Sequence, residues 1–235
     1  MKHEVRQREF GFVNWGGKRR GAGRKPKGER AGVSHAMRPR LAARFPVLVT
    51  MRLRAGLETL RSDKSHALIR EAFALTSGDE FRVIEYSVQS NHLHLVAESS
   101  DQRALGRGMI GLAVRIARGL NKLWRRTGQV FADRYHARIL TTPRAVRNAL
   151  IYVVQDARKH GAWRALVPDV YSSGPSFGGR RNGTGACDSR ATRANLAQSR
   201  TPWLVRARTW LLMMGWRRHG LIDPREVPVG SAAFA

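Results

Sequence analysis

The run Ser90-Asn91-His92-Leu93-His94-Leu95-Val96 sets two imidazoles inside a stretch that otherwise reads as a buried β-strand. Alternate side chains of a strand share a face, so His92 and His94 stand side by side, about 7 Å apart along the backbone. That spacing suits two imidazoles on one metal ion, and it equally suits two hydrogen-bonded histidines on a half-buried face. Phe81 to Gln89, β-branched and aromatic, reads as a second strand. The tight Ser90-Asn91 junction lets the His-x-His strand run back beside it.

Around this hairpin the chain alternates in period. Phe45 to Arg54 ends with Val49, Met51 and Leu53 alternating against Thr50, Arg52 and Arg54, which predicts a strand. Ser62 to Leu75 carries Leu68, Ala72 and Leu75 on one side, with Ser62 as N-cap and Ser77-Gly78 as terminator, and predicts a helix. Arg103 to Arg126 repeats Leu105, Met109, Leu112, Ile116, Leu120 and Leu123 at three- and four-residue steps, the strongest helical signature in the sequence. Val130 to Leu140 follows as a strand, and Pro143, suited to a first helical turn, opens a helix to about Lys159. The order strand, helix, strand, strand, helix, strand, helix predicts an α+β domain of the ferredoxin-like split βαβ type, a mainly antiparallel sheet with helices packed on it.

Outside residues 41–165 the pattern changes. Residues 1–40 are rich in Lys, Arg and Gly with almost no apolar periodicity, and read as a basic, flexible N-terminal arm. Residues 166–201 read as a flexible basic linker, with glycines 174, 178, 179, 183 and 185 in its core. Residues 202–235 read as a helix over Pro202 to Arg218 and a tail, with Trp203, Trp210, Leu211 and Trp216 packing on the body of the protein in preference to stacking on bases.

Charge decides the class of partner. The chain holds 43 Lys plus Arg against 17 Asp plus Glu, a formal net charge of +26. A polyanion is the natural partner of such a surface, and nucleic acid leads because no amphipathic or lipidation signal points to a membrane. The candidate contacts are Arg19, Arg20, Arg24 and Lys25 in the arm, Arg115 and Lys122 on the long helix, Arg134 and Arg138 around the last strand, and Arg158 and Lys159 at the end of the Pro143 helix. The last two serve a phosphate or simply complement the helix dipole. The single cysteine, Cys187, excludes an intrachain disulfide and fits a reducing cytoplasm. The longest apolar run, Trp210 to Trp216, is too short to span a bilayer. The expected location is cytoplasmic, with the nucleoid.

The chemistry-bearing constellation joins the hairpin to the Pro143 helix. Tyr152 and Asp156 are four residues apart and project from one helical face. A tyrosine and a carboxylate facing His92 and His94 make one compact site, with two imidazoles and a carboxylate for a divalent metal and a phenol beside it. Such a thiolate-free donor set suits Mg2+ or Mn2+, with zinc as the alternative. The arrangement predicts phosphoryl transfer, the metal orienting a scissile phosphate and Tyr152 attacking in line. Tyr135, in Arg134-Tyr135-His136-Ala137-Arg138, is the rival nucleophile, ranked lower because no Asp, Asn or Gln follows it one helical turn away. The plainer alternative makes Tyr152 a core tyrosine with a satisfied hydroxyl.

His92-Leu93-His94 with Tyr152 and Asp156 resembles the His-hydrophobic-His (HUH) motif and helix-borne tyrosine of the single-tyrosine HUH transposases, and within them the REP-associated tyrosine transposases. The resemblance runs from about Phe45 to Gly161 and takes in Ser90 to Val96 and Gly128-Gln129-Val130-Phe131-Ala132-Asp133-Arg134-Tyr135. It implies that Tyr152 cleaves single-stranded DNA at hairpin-forming repetitive elements, leaving a 5′-phosphotyrosine and a free 3′-hydroxyl in a step that reverses onto another strand. It also implies that His92, His94 and Asp156 are metal ligands, with Asp156 where the family usually has Asn or Gln. The alternative function is a noncatalytic DNA- or RNA-binding regulator on the same fold.

Overall fold

The strand that carries the two histidines lies in the interior of a four-stranded sheet. In the computed structural model, which describes residues 39–159, 168–181 and 204–226, the elements are β1 (Val47–Arg52), α1 (Asp63–Thr76), β2 (Phe81–Val88), β3 (His92–Ser99), α2 (Gln102–Leu123), β4 (His136–Ile139), α3 (Pro143–Lys159) and a short α4 (Trp210–Met213). The sheet order is β2-β3-β1-β4 with every neighbouring pair antiparallel. This is the α+β, ferredoxin-like arrangement that the element order predicts. The arm, with Arg19, Arg20, Arg24 and Lys25, lies outside the described residues.

The two faces of the sheet have different partners, and strand alternation assigns each side chain to one of them. Val47, Val49 and Met51 of β1, Leu93, Leu95 and Ala97 of β3, and Phe81, Val83, Tyr86 and Val88 of β2 meet α1 and α2. Leu48, Ile84 and Val96 meet α3 on the other face. A bulge between Val83 and Glu85 explains how Val83 and Tyr86, three residues apart, share a face.

Local chemistry ends the helices where the sequence suggests. The Ser62 hydroxyl accepts from Ser65 N at 3.3 Å and Asp101 Oδ1 from Ala104 N at 2.8 Å, so α1 and α2 both begin on a capping side chain. Along α2, Leu105, Met109, Leu112, Ile116 and Leu120 are buried. Each stabilises the domain by roughly 1.5–3 kcal/mol relative to an exposed position. The helix approaches so closely that Gly108 sits directly under the Phe81 ring.

Three expectations change in extent. The strand expected over Val130 to Leu140 is regular only at His136–Ile139. Residues 130–132 do pair with residues 52–54, through Arg54 N to Val130 O and Ala132 N to Arg52 O. The chain then bends where Asp133 Oδ1 takes the N–H of Arg134, a local bond that competes with a ladder.

Within the expected linker, residues 168–181 pack along the outer edge of β2. Val88 N donates to Tyr171 O, Ser173 N donates to Tyr86 O, and Arg61 forms a two-pronged ion pair with Asp169 at 2.8 Å on each arm. Covering the edge satisfies backbone groups that would otherwise invite another chain.

The helix expected over Pro202 to Arg218 is only α4 followed by a 3-10 turn at Gly215–His219, and Pro202 and Trp203 lie outside the described residues. The physical reason is Glu98, buried on β3. Its carboxylate accepts from Arg208 N, Thr209 N and the Thr209 hydroxyl, while Arg82 Nε donates to it at 2.9 Å. Those backbone donors are thereby committed to the sheet. Leu211, Leu212, Trp216 and Ile222 then cover the outer side of α3. That buries the middle of α3 on both sides, in keeping with the unbroken apolar run from Ala149 to Val154.

Candidate functional site

Register determines what surrounds the histidines. On β3 the even-numbered positions His92, His94, Val96 and Glu98 face α3, so the imidazoles lie beneath that helix on the side away from α1 and α2. Their rings meet edge to face with centroids 4.7 Å apart. Directly across the ladder, Thr50 of β1 pairs with His94 and Arg52 with His92. One strand further, His136 of β4 pairs with Thr50, so His94, Thr50 and His136 form one row across the sheet on one face.

Tyr152 descends from α3 onto this row. Its hydroxyl is 3.1 Å from His94 Nε2, and the two rings stack edge to face at 4.7 Å. All three side chains are largely enclosed, His92 at 9%, His94 at 4% and Tyr152 at 8% exposure. Polar neighbours hold both imidazoles at Nδ1: His92 Nδ1 donates to Asn91 Oδ1 at 2.8 Å, and His94 Nδ1 lies 2.9 Å from Thr50 Oγ1. With Nδ1 protonated, each ring offers Nε2 as its lone-pair atom, and the Tyr152 hydroxyl donates to that atom of His94. Nδ1-held histidines of this kind are typical of metal ligands, whose outer hydrogen bond fixes tautomer and orientation.

The rival tyrosine belongs to the other side of the molecule. Tyr135 packs with Ala137 and Ile139 against the core shared with α1 and α2, across the sheet from His92 and His94. Alternation sends His136 and Arg138 the opposite way, onto the histidine face.

The remaining expected contacts divide by position. Asp156 stands one helical turn beyond Tyr152 in α3, and its side chain, like those of Arg158 and Lys159, lies outside the described ones. Arg115 and Lys122 are exposed on α2, in the layer on the far face of the sheet from the imidazoles. Arg134 is exposed in the bend before β4, and Arg138 is on β4 opposite Leu48. Among the described residues no group of three or more His, Cys, Asp or Glu side chains is placed to hold a metal ion.

Sequence reasoning missed four neighbours: Thr50, Arg52, Asn91 and His136. Asn91 carried a signal in its adjacency to His92. The other three become neighbours only through strand register, which no local pattern encodes.

Comparison with known proteins gives no matching family model. No curated protein matches either. Among solved structures, one described as the REP-associated tyrosine transposase bound to a REP hairpin is similar at 16% identity and a TM-score of 0.45, covering 60% of this chain and 82% of that chain. A likeness of that degree does not assign an activity, and the functional reading rests on the residues themselves.

Proposed function

We propose that this protein is a metal-dependent single-strand DNA nicking and rejoining enzyme of the tyrosine transposase type, with Tyr152 as nucleophile. The observation that carries the reading is the placement of the Tyr152 hydroxyl 3.1 Å from His94 Nε2, on the face where His92 and His94 adjoin, while Tyr135 packs in the opposite core.

His92, His94 and Asp156 would hold a Mg2+ or Mn2+ ion. Two imidazoles and a carboxylate fit such an ion, and both imidazoles are already oriented through Nδ1. Bound there, the ion would supply charge neutralisation and orientation for a scissile phosphate. Tyr152 Oη forms a bond to phosphorus as its phenolic proton passes to solvent water. The P–O3′ bond breaks, and the departing 3′-oxygen takes up a proton to become a free hydroxyl. The protein then carries a 5′-phosphotyrosine that the 3′-hydroxyl of another strand can attack in the reverse sense. Arg52, His136 and Arg138 lie on the same sheet face beside this site and would receive the phosphates flanking the scissile one.

The same atom cannot both accept the Tyr152 hydrogen bond and ligate a metal through one lone pair. A metal ion held through His94 Nε2 would take the place of the phenol at that atom.

The test separates binding from chemistry. With hairpin-bearing single-stranded oligonucleotides from the flanks of the protein's own gene, Tyr152→Phe is expected to abolish Mg2+- or Mn2+-dependent cleavage with little loss of affinity. His92→Ala is expected to lose metal binding and cleavage together. Tight binding without cleavage on any such DNA would replace this reading with a noncatalytic nucleic-acid-binding protein.

A further inference from the structure

The last described segment, residues 204–226, turns its side chains in two directions. Leu211, Leu212 and Trp216 enter the core beside α3. Trp210, Met213 and Met214 point outward, exposed by 50%, 49% and 58%. Their orientation is fixed from behind, because Glu98, itself 1% exposed, holds the N–H groups of Arg208 and Thr209 immediately before Trp210. From below, the Trp210 ring lies on Gly215, where a Cβ would come within 2.7 Å of ring carbon. The Arg218 guanidinium carbon lies 4.8 Å from the ring centroid.

A half-exposed indole flanked by two exposed methionines is an apolar patch with a cationic rim. The segment carries Arg206, Arg208, Arg217, Arg218 and Arg225, of which Arg208 pairs with Asp79 at 2.8 Å, but only two carboxylates of its own. Both carboxylates are engaged: Glu226 forms a two-pronged ion pair with Arg147 of α3, and Asp223 Oδ1 accepts the N–H of Arg225. The outward face is therefore aromatic, polarisable and positive. Nucleic acid presents the complement, since every unpaired base has a π-face and every linkage a negative charge. Acidic protein surfaces offer the charge without a flat ring at each residue.

We infer that Trp210, with Met213, Met214 and Arg218, is a stacking platform for an unpaired base of single-stranded nucleic acid, a contact surface separate from the Tyr152 site. The Arg147–Glu226 pair and the Gln155 amide, which donates to Asp223 O at 2.9 Å, tie this platform to the helix that bears Tyr152. A strand held on Trp210 is thus held at a fixed place relative to α3. The inference does not depend on Tyr152 chemistry and stands or falls on binding alone.

The test is a fluorescence-anisotropy titration of the full chain with labelled oligo-dT, oligo-rU and a blunt duplex of equal length. Trp210→Ala is expected to weaken binding to one or both single strands by about 5- to 100-fold, the range for loss of one base–aromatic stack. Duplex affinity should stay within about twofold, and the salt dependence should not change, because no phosphate contact is removed. The dT and rU arms show which polymer is the occupant. Trp210→Phe should retain most of the affinity, and it guards against misreading a folding defect. Direct quenching of the wild-type emission by oligo-dT or oligo-rU, absent in Trp210→Phe, provides a second readout. Unchanged single-strand affinity in Trp210→Ala, an equal loss on duplex, or a change in oligomeric state without a change in affinity would overturn the proposal.

Discussion

Gly106 and Gly108 lie two residues apart in α2, and the structure predicts opposite consequences for the same substitution. Replacing glycine by alanine inside a helix stabilises it by about 0.5–1 kcal/mol when nothing else changes, because the unfolded chain loses freedom and the helix gains a better former. At Gly106 an added Cβ meets nothing within 4 Å, so Gly106→Ala should raise stability by that amount. At Gly108 the Cβ would fall 2.2 Å from Phe81 Cγ and 2.5 and 2.7 Å from its Cδ atoms. A contact that short has to open by more than 1 Å, and Phe81 is buried on β2 with little room to move. Overpacking of this kind costs about 1–3 kcal/mol, which outweighs the propensity gain. The propensity gain is common to both, so the two variants should differ by about the overpacking cost, 1–3 kcal/mol, in urea denaturation of the full chain, with Gly108→Ala the less stable. Equal stabilisation by both would refute the close approach of α2 to the Phe81 face of the sheet.

Other consequences concern pH and the anchoring of residues 204–226. Burial, with Arg70 adding to it, pushes the His66 pKa from 6.5 down to about 4. The unfolded chain therefore binds the proton first, and the contribution of up to about 3 kcal/mol is whole above pH 6.5 and lost as pH falls through 4; His66→Gln should flatten that slope in pH-dependent denaturation. Burial pushes the Glu85 carboxyl the other way, from 4.5 up to about 7. Here the folded state holds the proton longer, so stability is greatest below pH 4.5 and declines as pH rises through 7. Glu85→Gln should match the wild type near pH 4 and exceed it near pH 8 by on the order of 1–2 kcal/mol, allowing for partial solvent access. Glu98→Ala leaves Arg82 buried without its carboxylate and strips the acceptor from Arg208 N and Thr209 N. A loss of about 3–5 kcal/mol is expected, with limited proteolysis cutting first within residues 204–226.

How much of this was legible in the sequence depends on the range of the interaction. The helical repeat of Leu105 to Leu120 and the cap at Ser62 are local, and periodicity and capping chemistry expose such features directly. The ferredoxin-like order follows from the succession of those elements. The neighbours of the site are not local: Thr50 reaches His94 across β1 and β3, and His136 reaches Thr50 from β4, so only pairing register reveals them. Register also separates Tyr152 from Tyr135, since the face to which Tyr135 turns is decided by β4 pairing with β1. The helix expected over Pro202 to Arg218 is shortened for the same reason. The apolar spacing there resembles a helix, while the conformation is set by a carboxylate more than a hundred residues earlier in the chain, at Glu98. Trp210 and Trp216 looked alike in sequence, and only tertiary packing turned one outward and the other in.

The central claim is that Tyr152, on the histidine face of the sheet, becomes covalently attached to DNA. The most direct measurement is incubation of the full chain with 5′- and 3′-labelled hairpin oligonucleotides from the flanks of its gene, with and without Mg2+ or Mn2+, followed by denaturing electrophoresis and mass mapping of any adduct. The account predicts a metal-dependent adduct that retains the label on the 5′-phosphate side, maps to Tyr152, vanishes in Tyr152→Phe and persists in Tyr135→Phe. An adduct that survives Tyr152→Phe, or maps to Tyr135, would contradict it.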